Sequence, residues 1–258
     1  GAATVELPSP VPVDADTRLE LIRHEDPVTL DHEPVFAPEL RAALDMVLAE
    51  RRSEERLREA GLAPARSLLF VGAPGQGKTL AARWLAHELA VPLLTLDLSA
   101  VMSSFLGRTG NNVRAVLDYA RTFPCVMLLD EFDACAKRRD DTTEIGELKR
   151  LVTVLLQAVD DWPATGLLVA ATNHPDLLDP AVWRRFDHVL KFPTPSRPEL
   201  LKAVVTFLGA QGALEEDWTK ILCAVLEGSS FADVERAVLG VRRKAAVANK
   251  PIAVFLEE

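Results

Sequence analysis

Gly72-Ala73-Pro74-Gly75-Gln76-Gly77-Lys78-Thr79 decides how this chain is read. The stretch follows an apolar run at Ser67–Val71 that is too short for a helix, and it opens a helical stretch at Lys78–Leu89. A glycine, four residues and then Gly-Lys-Thr, set between a strand and a helix, is the arrangement that cradles phosphate. The glycines let the backbone curl so that successive N–H groups point at a β-phosphate, and the helix N-terminus adds partial positive charge. Lys78 is placed to reach the β- and γ-phosphates and the Thr79 hydroxyl to bind Mg²⁺. The expected nucleotide-binding set is therefore Gly72, Pro74, Gly75, Gln76, Gly77, Lys78, Thr79 and Leu80.

Outward from this loop, three more short apolar runs at 93–97, 125–130 and 167–172 read as buried strands. Helical stretches at 111–122 and 147–160 lie between them. Strands and helices alternating at these lengths imply parallel strands joined by crossovers, an α/β sheet sandwiched by helices. Upstream, Leu40, Leu44, Val47 and Leu48 fall on one helical face, and the charged run 50–59 is expected to continue that helix to Gly61. Six prolines up to Pro38 suggest an extended N-terminal arm over 1–38. Pro193, Pro195 and Pro198 form a stiff joint, beyond which only helical periodicity remains. The expected organisation is an arm over 1–38, a nucleotide-binding α/β domain over 39–193 and a small all-helical lid over 194–258.

The run Val126-Met127-Leu128-Leu129-Asp130-Glu131 places two carboxylates at the C-terminal end of a strand, where open α/β sheets bind ligands. Beside a phosphate loop, Asp130 is read as the Mg²⁺ ligand, directly or through water, and Glu131 as the group that orients and polarises the attacking water. Asn173 follows the strand at 167–172 and could hold that water or a γ-phosphate oxygen. A net charge of −9 disfavours broad nucleic-acid binding, whose affinity comes from neutralising phosphates. No run has the apolar length of a membrane span, and the acidic first thirty residues do not read as a signal peptide, so a cytoplasmic protein is expected. Cys125, Cys135 and Cys223 lack metal-ligand spacing and read as reduced core thiols.

The order of these motifs resembles the AAA+ ATPases, and within them the AAA group that includes protein-remodelling ATPases. The resemblance runs from about 40 to 191 and more loosely to the end. Besides the loop it rests on Ser104-Phe105-Leu106-Gly107, the stretch from Pro124 to Asp133, Ala171-Thr172-Asn173, and the stretch from Leu178 to Asp187. It implies an ATP-hydrolysing enzyme with ATP and Mg²⁺ held between an α/β domain and a helical lid, in a homo-oligomeric ring that is commonly a hexamer. It also implies that Arg184 and Arg185 are arginine fingers reaching the γ-phosphate of a neighbouring subunit, where delocalised donors meet charge that builds up in the transition state.

Ser103 to Gly107 looks like a first pore loop in which Phe105 and Leu106 grip an extended polypeptide, with 138–146 as a second loop on the same channel. Arg108-Thr109-Gly110 departs from the acidic residue usual there, which could favour an acidic substrate. Gly228 to Asp233 resembles the family's lid helix start, although no arginine heads it. The expected activity is that of a ring motor remodelling or threading a protein. Alternatives are a nucleotide-switched regulatory ATPase serving a partner such as a protease or adaptor, and, third, a nucleic-acid remodeller.

Overall fold

The computed structural model describes residues 11–12, 21–104, 109–135, 142–209 and 216–255. Its centre is a six-stranded sheet of β1 (Arg23–Glu25), β2 (Ser67–Val71), β3 (Leu93–Asp97), β4 (Val126–Asp130), β5 (Leu167–Thr172) and β6 (His188–Lys191), in the order β1-β3-β4-β5-β2-β6. All neighbours are parallel except β1, which runs antiparallel to β3. Every residue of β2 and β5 is buried, as expected of strands covered on both faces. The helices are α1 (Pro38–Arg52), α2 (Glu54–Glu59), α3 (Lys78–Leu89), α4 (Leu98–Ser104), α5 (Thr109–Ala120), α6 (Thr142–Asp160) and α7 (Pro180–Trp183), then α8 (Arg197–Leu208), α9 (Glu216–Val225) and α10 (Phe231–Ala248).

Two apolar layers enclose the sheet. On one side Val113, Val116 and Leu117 of α5 and Leu151 and Leu155 of α6 join Leu94, Leu96, Met127, Leu129, Leu168 and Ala170 in one cluster. On α3, Ala81, Ala82, Trp84, Leu85 and Ala86 are buried, and this helix contacts β3, β4 and β5. Among the described residues no helix is long and apolar enough to cross a membrane.

Contacts divide the chain into two compact units, and the division is not one cut along the sequence. The first holds Ala42–Gly72 and Lys78–Lys191 with the described part of 1–30, and so contains the sheet. The second holds Asp31–Arg41, Ala73–Gly77 and the helical C-terminal region from Phe192. Its core is Leu200, Ala203, Val204 and Leu208 of α8, Cys223 of α9, and Val234 and Val238 of α10. The prolines after Phe192 lead into α8, where Ser196 and Glu199 form a reciprocal capping box and Pro198 occupies the first turn.

Three expectations need correction. The charged run does not continue α1: the helix stops at Arg52, Ser53 leaves the helical region at φ −113°, ψ 26°, and α2 starts anew with no buried residue. The end of α1 is tied elsewhere, since Arg51 donates from Nη1 to the Ala164 carbonyl (2.6 Å) and from Nη2 to that of Gly166. Two strands were not foreseen, β6 and the β1 strand inside the supposed arm; the latter is Arg-His-Glu and owes its extension to backbone pairing with β3. Finally, α6 begins at Thr142, five residues before the expected start.

Candidate nucleotide site

Three strands that lie side by side, β4, β5 and β2, deliver the site from their C-terminal ends. Gly72 follows β2, Asp130 ends β4 and Asn173 follows β5. The loop after β2 turns through Gly75 at φ +76° and Gly77 at φ +88°, a left-handed region that glycine enters without steric cost. Gly75 also sits where nothing larger fits, because a Cβ there would lie 2.6 Å from Ser230 Oγ and 3.1 Å from the Ala232 Cβ. The Ala232 N–H donates to the Gly75 carbonyl at 3.2 Å, so the loop rests on the start of α10. Ser230 caps that helix, accepting from Asp233 N at 3.2 Å. Gln76 is buried, and its Oε1 has no hydrogen-bond partner among the described residues. Pro74 lies within this turn and Leu80 in the first turn of α3.

Lys78 is 7% exposed and its Nζ donates to the Gly72 carbonyl at 2.6 Å. Burial pushes its pKa down, and the carboxylates of Asp130 and Asp133 pull it back up. Thr79 Oγ1 donates to Asp130 Oδ2 at 3.1 Å, and Glu131 N donates to Asp130 Oδ1 at 2.9 Å. A hydroxyl and a carboxylate oxygen at this separation are a hard-oxygen pair of the kind that Mg²⁺ selects while keeping most of its own waters. Glu131 itself has φ +52°, a sterically costly position for a residue with a Cβ. Its backbone is held from both sides, since the Ala134 N–H donates to the Glu131 carbonyl at 2.8 Å. Strain that the surroundings over-determine in this way points to a functional position.

Asp133 is a site residue to which the sequence reading gave no role. It is 2% exposed, and its Oδ1 accepts from Thr172 Oγ1 at 3.0 Å and Asn173 N at 3.1 Å. The carboxylate thereby ties the tip of β5 to the segment after β4 and sets where Asn173 stands. Only its place three residues beyond Asp130 hinted at this.

Arg184 and Arg185 lie just before β6, on the side of the N-terminal end of β2. They follow α7, whose N-cap Asp179 accepts from Ala181 N at 2.7 Å, and they precede Asp187. The Asp187 carboxylate accepts from Arg66 N (2.7 Å), Ser67 N (3.0 Å) and Ser67 Oγ (3.2 Å), at the N-terminal end of β2. The phosphate loop leaves the C-terminal end of the same strand, about 13 Å away at roughly 3.3 Å per residue. Both arginines are exposed; Arg185 is paired with Asp160 at the end of α6. Phe105 and Leu106, the expected substrate grip, lie outside the described residues, as do 138–141 of the expected second loop, whose remaining residues 142–146 are the start of α6 and not a loop. Arg236 pairs with Asp233 at 3.1 Å on exposed helix surface.

Residues 68–194 match the family described as ATPase family associated with various cellular activities (AAA). An uncharacterised AAA family ATPase of Sinorhizobium fredii is 42% identical over 201 residues, which cover 78% of this chain and 60% of that protein. The proteasome-activating nucleotidase of Thermococcus onnurineus is 33% identical over 207 residues, covering 76% of this chain and 50% of that protein. In fold, the crystal structure of the FIGL-1 AAA domain superimposes with a TM-score of 0.71 at 23% identity, covering 87% of this chain and 76% of that one. The chain thus spans about half to three fifths of the length of these curated relatives. The chain belongs to the AAA family of ATPases, and the nucleotide-binding domain it contains is of the ATP-hydrolysing kind.

Proposed function

We propose that this chain works as a homo-oligomeric ring, a hexamer in its simplest form, that cleaves ATP at the seams between copies and uses the cycle to remodel a protein. The observation that carries the reading is the placement of two half-sites at opposite ends of β2. Lys78, Thr79, Asp130, Glu131 and Asn173 gather at one end, while Asp187 clamps the arginine turn to Ser67 at the other. A strand about 13 Å long separates them, more than an arginine side chain spans. An exposed arginine pair with no phosphate of its own within reach is suited to a neighbour's.

The residues present fit ATP with Mg²⁺. Glycine-lined backbone N–H groups and Lys78 would hold the phosphates, Thr79 and Asp130 would hold the ion, and a bound Mg²⁺ would offset charge on the β- and γ-oxygens. Glu131 orients a water and accepts its proton as the oxygen attacks phosphorus. Asn173, held by Asp133, steadies that water or a γ-oxygen from the adjacent strand tip. Guanidinium groups from the next copy stabilise the charge that develops, a contribution of about 10³ to 10⁵ in rate for a finger supplied in trans.

The mechanical part rests on relatives. The proteasome-activating nucleotidase similarity supports work on proteins, and also supports a second reading in which the ring serves a protease partner. The trans site is tested by mixing two inactive proteins, Glu131→Gln and the Arg184→Ala/Arg185→Ala double variant. Mixed rings contain seams with an intact cradle beside intact arginines, so hydrolysis should return. Co-assembly without any recovery at any ratio rules the reading out.

A further inference from the structure

Gln76 stands between Gly75 at φ +76° and Gly77 at φ +88°, in a loop of the kind whose backbone N–H groups cradle anions. Its side chain has no part in that cradle. The residue is 5% exposed, and the carbonyl oxygen Oε1 is buried without a hydrogen-bond partner among the described residues. The other buried side-chain atoms left unpaired there, on Arg51, Arg121 and Trp162, are all nitrogens that donate, so Gln76 Oε1 is the one orphaned acceptor among them. A buried acceptor without a donor is destabilising, and one retained inside a binding loop calls for a donor that comes with the ligand.

The chemistry of the ligand narrows the choice of donor. A triphosphate offers none, because its ionised oxygens only accept, and the loop N–H groups and Lys78 serve them. What remains on ATP is the 6-amino group of adenine and the ribose hydroxyls. The amino group sits on a flat, largely apolar base that gains from burial, whereas ribose hydroxyls can stay in water. An acceptor as deeply buried as Oε1 therefore suits the base. The surroundings of the loop agree. Ala73–Gly77 fall in the same compact unit as Asp31–Arg41 and the helical C-terminal region, and Gly75 is seated on Ser230 and Ala232 at the start of α10. Lys78 and Thr79, which are read as serving the phosphates and the ion, fall in the unit that holds the sheet.

We propose that Gln76 reads the base: its Oε1 accepts a hydrogen bond from the 6-amino group of adenine, which makes it a specificity-determining residue for ATP. The inference rests on the reading that this loop holds ATP with Mg²⁺, and it deepens that reading by naming a residue that meets the base. It also accounts for a buried amide whose oxygen finds no donor in the described chain.

The test reads affinity by calorimetry on the full chain with Mg²⁺, in the Glu131→Gln background so that the ligands stay intact. The ligands are ATP, purine riboside triphosphate, which lacks only the 6-amino group, the 2′-deoxy and 3′-deoxy forms of ATP, and inorganic tripolyphosphate. With Gln76 in place, ATP should bind at least about tenfold more tightly than purine riboside triphosphate. Gln76→Met, which keeps the length and removes the acceptor, should narrow that ratio at least about fivefold and leave tripolyphosphate affinity within about twofold. Gln76→Ala gives the same comparison without added bulk. A ratio that neither variant changes, with tripolyphosphate still bound, overturns the proposal. So does a loss falling equally on ATP, purine riboside triphosphate and tripolyphosphate, which would give the oxygen to a water on Mg²⁺, and so does a narrowing confined to the deoxy forms, which would give it to the ribose. Failure of the underlying reading looks different: there the protein with Gln76 in place binds neither tripolyphosphate nor ATP.

Discussion

Replacing Glu131 with glycine should make the protein more stable and nearly inactive at once. At φ +52° a residue with a Cβ bears a cost of about 1–2 kcal/mol. Glycine removes that cost but loosens the unfolded chain, which returns about 0.4–1 kcal/mol. The net gain is about 0.5–1 kcal/mol, or roughly 1–4 °C in melting temperature for a chain of this size. Glu131→Gln is the control, since it retains the Cβ and therefore the strain. On the proposed reading both changes remove the proton acceptor, so both should lose about 10²- to 10⁴-fold in turnover. Thermal melting of the nucleotide-free proteins, alongside phosphate release, separates the two effects. Should the glycine variant melt below the glutamine variant, the left-handed backbone at this position is not strained and the argument from strain to function falls.

Asp133→Ala removes the acceptor for Thr172 Oγ1 and Asn173 N in a buried setting and should cost about 2–4 kcal/mol by denaturant titration, with turnover falling as Asn173 drifts; Asp133→Asn, which keeps a carbonyl acceptor, should lose less than half as much. Burial pushes the Cys125 thiol from 9.0 up to about 12, so iodoacetamide at pH 8.5 should leave it unlabelled until denaturant is added. The same shift makes stability pH-dependent: between about 9 and 12 the unfolded thiol ionises while the folded one stays protonated, so stability falls with rising pH by about 1.4 kcal/mol per unit. A Cys125→Ala protein should lack that component of the slope, and an unchanged slope would place the effect elsewhere.

Much of the fold was legible because its central strands are buried on both faces. Ser67–Val71, Leu93–Asp97 and Leu167–Thr172 stand out as apolar runs and form strands with those bounds. The edges were not legible for the opposite reason. β1 is three polar residues and β6 has a single buried one, so neither carries a hydrophobic pattern; only a neighbour's backbone makes them strands. The break at Ser53 was hidden because what ends α1 is the docking of Arg51 on carbonyls more than a hundred residues away. The site divides along the same line. Gly75 and Gly77 are demanded by local backbone angles, and Lys78 and Thr79 follow them in the chain, so the cradle is written in eight consecutive residues. Asp133, Asp160 and Asp187 act on partners 40, 25 and 120 positions away, and nothing in their own neighbourhoods announces it.

Those distant acids give the fold its functional logic on the proposed reading. β2 is a fully buried strut with the phosphate loop at one end and the Asp187 clamp at the other, so one copy holds the cradle and the arginines at a fixed separation. A copy cannot satisfy its own site, and each copy must influence the next. A packed route between the two ends also exists off the strut. Glu131 is followed by Phe132, whose ring meets Phe186 edge-to-face with centroids 6.1 Å apart, and Phe186 adjoins Arg185. Cores this dense do not absorb a displaced ring without moving its neighbours. On that reading, a shift of the acidic strand end with nucleotide state would be felt at the arginine turn of the same copy, and through Arg184 and Arg185 at the next site.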